Sequence, residues 1–544
     1  MTDHPASPGS DDAILGRLML AFEGTELPDW MAERLVAAPP AGVTLFRHMN
    51  FSSAAQVRTL TDALQAAARH GATSAGPPLL VAADQEGGQL MALGDGTPFA
   101  GNMALGATGD AELAERVGRA IGTELRAVGV TVNYAPVCDL ASNPDNPGLG
   151  ARSFGDDPAA AARLAAATVR GLQDAGVAAT AKHFPGKGDV GVDTHHELGT
   201  VPHDLTRMEE VELAPFRAAL EAGARVVMSG HFSIPALTSN PSLPATVSSK
   251  VMDHLLRGDL GFEGVAISDA LDMKALSQGP TQVVELIAAV RAGVDLLLCT
   301  PDRASQEQAT DALRLAAHRE LFDPVALARS AERVSALREW AGTSAQPELY
   351  AVGAAEHQSL ARELAERSVT LLRNDAGLIP MRLDPGARVL AVMPRPRNLT
   401  PADSSETVEP GLASALRRRL ASVEEVVTGH PPTADEIAAA RQRASEADLV
   451  VIGTINAWFD AAQAELVEAL LGTGVPVITV SLRVPFDLAR YPSAATHLCT
   501  YSILPPSLDA LVNGLMGEIP FRGRLPAAVP GLHPTGHGLD ATDA

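Results

Sequence analysis

Eight short apolar runs, each followed by polar residues and then by an Ala/Leu/Arg-rich stretch with helical spacing, predict an α/β chain that begins with a (β/α)8 TIM-type barrel. A second set of apolar runs beyond His357 predicts a smaller α/β sandwich domain after it. The eight runs lie near Leu15–Ala21, Val43–Phe46, Pro78–Ala82, Val130–Tyr134, Val177–Ala181, Arg225–Met228, Gly264–Ile267 and Val294–Leu298. Each is apolar on both faces, as a strand between a barrel interior and an outer helix layer must be. Helical stretches between them include Ala54–His70, Ala111–Val128, Pro158–Ala175 and Leu205–Ala222. An open doubly wound sheet shows the same alternation, so the polar residues decide. Asp84 and Glu86 follow the third run, Asp139, Asn143 and Arg152 the fourth, Lys182 and His183 the fifth, Ser229 and His231 the sixth, Ser268 and Asp269 the seventh. All fall at strand C-terminal ends, the rim on which such barrels assemble their sites.

After Asp302 the pattern gives two more helices up to Trp340, so the barrel is expected over residues 13–340. A Gly/Ser/Ala/Pro stretch makes residues 341–356 a linker, and residues 357–530 form the second domain. Its expected elements are a helix at His357–Arg367 and strands at Val369–Leu372, Arg388–Val392, Asp448–Ile452, Val475–Val480 and His497–Tyr501, in an open, mainly parallel sheet. Pro401–Pro410 reads as a surface loop. Residues 1–12 and 531–544 carry too few apolar residues to order themselves.

Composition narrows the function classes. Over 544 residues, 42 Lys and Arg against 65 Asp and Glu give a formal charge of −23, which repels nucleic acid and anionic membrane surfaces. The N-terminus lacks the basic region and apolar core of a signal peptide, and no apolar run is long enough to span a bilayer. Cys138, Cys299 and Cys499 have no CxxC spacing and cannot all pair. A cytoplasmic protein is expected.

The chemistry concentrates in Ala181–His196, where two Lys, three His and two Asp sit among four Gly or Pro residues. Ordering such a loop costs roughly 1–2 kcal/mol per residue in backbone entropy, with little apolar burial to offset it. Within it, Asp193 stands two residues before His195, close enough for a hydrogen bond that fixes the ring as a proton donor and acceptor. A solvated Asp/His pair reads the same way. His183, Asp189, Asp193, His195 and His196 are metal-ligand types, but no zinc spacing matches, and no metal is expected. Asp269 ends an apolar strand and is either a helix N-cap or a carboxylate delivered to the rim, where Lys182 and Arg152 would face it. Asp84, before Gln85-Glu-Gly-Gly88, is either a turn residue or a bidentate acceptor for sugar hydroxyls. No GxGxxG or P-loop spacing is present, and no cofactor is expected.

Six motifs taken together resemble a known family: Asp84-Gln-Glu-Gly-Gly88, Asn133-Tyr-Ala-Pro-Val137, Arg152-Ser-Phe-Gly155, Lys182-His-Phe-Pro-Gly186, Asp193-Thr-His195 and Ile267-Ser-Asp-Ala-Leu-Asp-Met273. In order and approximate spacing they are similar to those of glycoside hydrolase family 3, and more narrowly of its bacterial two-domain β-N-acetylhexosaminidase branch. Arg367-Ser-Val-Thr-Leu-Leu-Arg-Asn374 with Leu378-Ile-Pro380 resembles the start of that family's second domain. The resemblance implies a retaining, exo-acting hydrolase of terminal β-linked N-acetylglucosamine, with peptidoglycan fragments as one source. It implies Asp269 as nucleophile, His195 held by Asp193 as general acid and base, and Asp84, Arg152, Lys182 and His183 as holders of the sugar hydroxyls. Two positions depart from the family pattern: Gln89 stands where Arg is common, and Lys187 where His is common. Three other readings are a phosphorylase acting on the same glycosides, another family 3 β-glycosidase, and a carbohydrate-binding protein without turnover.

Overall fold

The computed structural model describes residues 14–70 and 76–540; the expected N-terminal tail, residues 1–12, lies outside the described residues. The eight expected runs form eight parallel strands: β1 (Leu18–Leu20), β2 (Gly42–Thr44), β3 (Leu80–Ala83), β4 (Val132–Asn133), β5 (Ala178–Phe184), β6 (Val226–Ser229), β7 (Val265–Ser268) and β8 (Leu297–Leu298). Their hydrogen-bonded order is β7-β6-β5-β4-β3-β2-β1-β8, and one parallel bridge, Ile267 to Leu296, completes the ring. The barrel interior is filled by Met19, Leu80, Tyr134, Met228, Ile267 and Leu298, among others.

The helix Pro324–Ala341 packs against the end of the barrel opposite the polar rim. Its Val334 and Leu337 join the interior cluster, and Arg17 below β1 donates to Leu327 O and Ser330 Oγ on it. Arg225 lies over the Trp340 ring at 4.2 Å. Around the strands, helices Ala111–Ala127 and Pro158–Asp174 pack very closely: a Cβ on Gly171 would meet Glu115 O at 2.1 Å, so only glycine fits. Asp110 and Asp157 cap these helices through Leu113 N and Ala160 N, each cap worth about 1 kcal/mol. The expected single helix Leu205–Ala222 is broken into Leu205–Arg207, a wider π-helical stretch Met208–Glu212, and Ala214–Glu221. Pro215 has no N–H for the carbonyl four residues back, and the turns ahead of it widen.

The second domain is built on a six-stranded sheet: β9 (Thr370–Asn374), β10 (Val389–Pro394), β11 (Val423–Thr428), β12 (Leu449–Thr454), β13 (Val477–Ser481) and β14 (Thr496–Cys499). Its order is β9-β14-β13-β12-β10-β11, parallel except for β9 against β14. The edge strand β11 was not expected. Its sequence Val-Glu-Glu-Val-Val-Thr buries only Thr428, so it lacks the continuous apolar run of its neighbours.

Two expectations are corrected. Pro401–Pro410 is not a free surface loop: Asp403, Ser404 and Ser405 are buried, and Ser404 N donates to Gln89 O of the barrel at 2.7 Å. Within the tail expected to be disordered, Gly531–Asp540 is docked by backbone bonds from Leu525 N to His537 O and from Leu539 N to Leu371 O, and by Thr535 Oγ1 on Asp156. Hydrogen bonds to both domains supply what apolar content does not. Deleting residues 531–544 should therefore lower the calorimetric unfolding midpoint by roughly 2–6 °C, at about 1 kcal/mol per net hydrogen bond; an unchanged midpoint would show that the docking contributes nothing.

Candidate active site

β5 runs further than its apolar residues suggest, so Lys182, His183 and Phe184 belong to the strand and not to the loop after it. Neighbouring residues of a regular strand point to opposite faces. Here the pairing of β5 with β6 shifts register between Lys182 and Phe184, and both Lys182 and His183 reach the rim. Lys182 Nζ lies 2.7 Å from Asp84 Oδ1 and 2.7 Å from Glu86 Oε1. Glu86 in turn takes a two-pronged bond from Arg152, Nε to Oε2 at 2.9 Å and Nη2 to Oε1 at 2.8 Å. Burial raises the Glu86 carboxyl, but Arg152 and Lys182 outweigh it and hold the group at about 2. Burial likewise opposes the charge on Lys182, and Asp84 and Glu86 overcome it. Asp84, with its side chain 25 % exposed, is the member of this network open to a ligand. Its Oδ1 accepts from Lys182, and its Oδ2 has no hydrogen-bond partner among the described residues.

Asp139, after β4, organises the next layer. It accepts from His183 Nδ1 at 2.7 Å, His183 N at 3.2 Å and Lys187 N at 2.8 Å. Burial first, and then Lys187 and Arg152, push the His183 ring well below its ordinary range, so it is neutral. A neutral ring donating from Nδ1 presents Nε2 as an acceptor; that atom lies 3.9 Å from Asp269 Oδ2.

Asp269 follows β7 directly and does not cap a helix: turns occupy the next residues, and the following α-helix starts at Gln282. Its Oδ1 accepts from Ala270 N, and Oδ2 has no hydrogen-bond partner among the described residues. Burial raises this carboxyl, and Lys187, His231 and His195 bring it below its ordinary value. The cation facing Asp269 is thus Lys187, not Lys182 or Arg152 as expected, because those two are committed to Glu86 and Asp84. His231 spans Thr246 Oγ1 and Ala270 O and braces the turn that carries Asp269. His195 meets Asp193 as the local spacing suggested, Nδ1 to Oδ1 at 2.6 Å, with His195 N on the same oxygen at 3.0 Å. Burial raises the Asp193 carboxyl, but the hydrogen bonds and charge of His195, together with Lys187, outweigh it and leave the group at about 2. Lys274 N donates to His195 O, tying the loop to the segment after Asp269.

All seven sequence-predicted residues, Asp84, Arg152, Lys182, His183, Asp193, His195 and Asp269, thus converge on one rim. Glu86, Asp139, Lys187 and His231 belong beside them. Their position at strand ends was visible in the sequence; which of them paired was not. The second domain also touches the rim. Arg483, after β13, donates from Nε to Gln89 Oε1 at 3.0 Å and pairs with Asp403 at 2.7 Å, so a cation absent at position 89 arrives from the other domain. Trp458 Nε1 donates to Asp145 in the loop after β4 at 2.8 Å, and Trp458 is an interdomain contact. Among the described residues no group of three or more His, Cys, Asp or Glu side chains is placed to hold a metal ion, and no helix is long and apolar enough to cross a membrane.

Carboxylates and cations gathered on the C-terminal rim of a barrel, beside a second α/β domain, make a site suited to a polyhydroxylated ligand. The chain belongs to glycoside hydrolase family 3: residues 20–337 match the model of the glycosyl hydrolase family 3 N-terminal domain. It is 30% identical to the β-hexosaminidase A of Pseudoalteromonas piscicida over 93% of this chain and 92% of that one. It is 28% identical to a β-N-acetylglucosaminidase/β-glucosidase of Cellulomonas fimi over 95% and 93%. Among solved structures, a family 3 β-N-acetylglucosaminidase from Paenibacillus sp. str. FPU-7 superposes with a TM-score of 0.89 at 38% identity, covering 97% of this chain and 99% of that one.

The ionic network carries a pH-dependent prediction. The Glu86 carboxyl falls from 4.5 to about 2 in the folded protein, so its contribution is full above 4.5 and is lost as pH drops through 2. Glu86→Gln should cost about 3 kcal/mol at pH 7, and its deficit against wild type should close between pH 4.5 and 2. Urea denaturation at several pH values checks this, and a deficit constant with pH would refute it.

Proposed function

We propose that the protein is a retaining, exo-acting β-N-acetylhexosaminidase that releases terminal β-linked N-acetylglucosamine through a covalent glycosyl-enzyme. The observation that carries the reading is the docking of the Asp193–His195 pair onto the segment after Asp269, through Lys274 N on His195 O. A paired proton donor and an ionised carboxylate with one free oxygen then share one pocket. Asp84, Arg152, Lys182 and His183 form its floor, with Glu86 buried beneath them, and Asp84 is the member most open to the hydroxyls of a terminal sugar.

In the first step Asp269 Oδ2 attacks the anomeric carbon while protonated His195 gives its proton to the departing oxygen. Asp193, held ionised, supports the charged ring. In the second step neutral His195 takes a proton from water as the water oxygen attacks the same carbon and Asp269 is released. Peptidoglycan fragments fall within the proposed substrate class. A cytoplasmic location remains part of this reading, supported by three buried, unpaired cysteines.

A second reading, phosphorolysis, is favoured by one feature: the acid/base is an imidazole, so the free base carries no negative charge to repel an anionic acceptor. Water vastly outnumbers phosphate, and hydrolysis is the expected main reaction. Product analysis in phosphate and in phosphate-free buffer decides, since a predominance of N-acetylglucosamine 1-phosphate with faster turnover would make the protein a phosphorylase.

Two variants test the assignments. Asp269→Asn cannot form the ester and should lower turnover of 4-nitrophenyl β-N-acetylglucosaminide at least about 1,000-fold with the fold retained; activity within about tenfold of wild type sinks the nucleophile. His195→Ala should lose roughly 100-fold or more on poor leaving groups and far less on nitrophenolate in the first step. Equal losses across a leaving-group series would make His195 structural.

A further inference from the structure

Lys187 is the lysine that faces the proposed nucleophile. The residue is 4 % exposed, and its backbone N–H is fixed on Asp139. Its ammonium makes no hydrogen bond or ion pair among the described residues, yet it is not one of the sealed, unpartnered polar atoms. It therefore opens onto the pocket. The charge it senses most strongly is Asp269, with Asp139 and Asp193 also in range and none within ion-pair distance. Lys182 and Arg152, by contrast, are saturated by Glu86 and Asp84.

A buried ammonium without a protein partner is costly unless a ligand supplies one. The part of a β-glycoside held between Asp269 and Asp193 is its anomeric end, which presents the ring oxygen, the leaving oxygen and the substituent on C2. The ring oxygen gains positive charge in the transition state and repels a cation, and the leaving oxygen belongs to His195. The C2 substituent remains. Building on the hexosaminidase reading, we propose that Lys187 is a specificity-determining residue whose ammonium donates a hydrogen bond to the carbonyl oxygen of a 2-acetamido group. A charge-assisted bond of this kind selects N-acetylglucosamine over glucose, whose C2 hydroxyl is a weaker and shorter-reaching acceptor.

The experiment compares kcat/KM on 4-nitrophenyl β-N-acetylglucosaminide and β-glucoside for wild type, Lys187→Met and Lys187→Gln. In Lys187→Met the loss on the N-acetylglucosaminide should exceed the loss on the glucoside by roughly 10- to 100-fold, and Lys187→Gln, which keeps an N–H donor, should recover part of the ratio. Equal losses on both substrates would mean that Lys187 only supports the Asp269 charge, and would overturn the proposal. A wild-type measurement stands independently of whether the variants fold. As competitive inhibitors, N-acetylglucosamine should bind more tightly than glucose, and glucosamine, whose charged amine meets the ammonium, more weakly than glucose. Glucosamine binding as tightly as N-acetylglucosamine would overturn the Lys187 proposal while leaving hydrolysis intact. A wild-type enzyme that prefers the glucoside would overturn the substrate reading as well.

Discussion

Burying Glu86 and Lys182 to side-chain exposures of 2 % costs each charge several kcal/mol of hydration. Neither could sit there alone. The cost is met by geometry: Glu86 takes two hydrogen bonds from Arg152 and a third contact from Lys182, which reaches on to Asp84. These groups come from the ends of β3 and β5 and from the loop after β4, so the network locks adjacent barrel segments to one another. A well-packed apolar cluster of the same volume would be at least as stable. What the charges add is orientation, since a carboxylate and an ammonium with fixed partners present their remaining lone pairs and N–H groups in fixed directions to a polyhydroxylated ligand.

Asp139 does for the anomeric side what Glu86 does for the floor. By collecting one ring N–H and two backbone N–H groups, it sets the His183 tautomer and the start of the loop that bears Lys187, Asp193 and His195. The loop itself is held more lightly. Its start is held by Asn146 Nδ2 on Lys187 O and Gly188 O, and its further fastenings include the Asp193–His195 pair, His203 on Asp189 at 2.5 Å and Lys274 N on His195 O. A floor fixed by buried ion pairs and an acid/base on a lightly tethered loop is a division of labour suited to a group that must approach, donate and withdraw.

The second domain contributes rigidity to the same rim. The carboxyl ends of β10, β12 and β13 turn toward the barrel, and from them come Ser404 on Gln89, Trp458 on Asp145 and Arg483 on Gln89. Arg483 joins the two domains at this point. The Gln89 amide oxygen accepts from the guanidinium that Asp403 holds from the other side, so a positive charge sits beside Gln89.

Strand number, barrel class and the rim location of the polar residues were legible in the sequence, because fully buried parallel strands must be apolar throughout and their loops must carry the chemistry. The Asp193–His195 bond was legible too, since two residues of separation fix it locally. Strand β11 was not, because an edge strand buries too little to mark itself, and the docking of Gly531–Asp540 was not, because hydrogen bonds to distant backbone leave no trace in composition. Most of all, the sequence supplied the charges without their pairing. Lys182, Lys187 and Arg152 are alike as cations on a list of residues, and only the register shift in β5 and the meeting of β3, the loop after β4 and the turn after β7 decide that two of them are spent on Glu86 and Asp84. The third is left facing Asp269, because coulombic partnership depends on separations in space that chain distance does not encode.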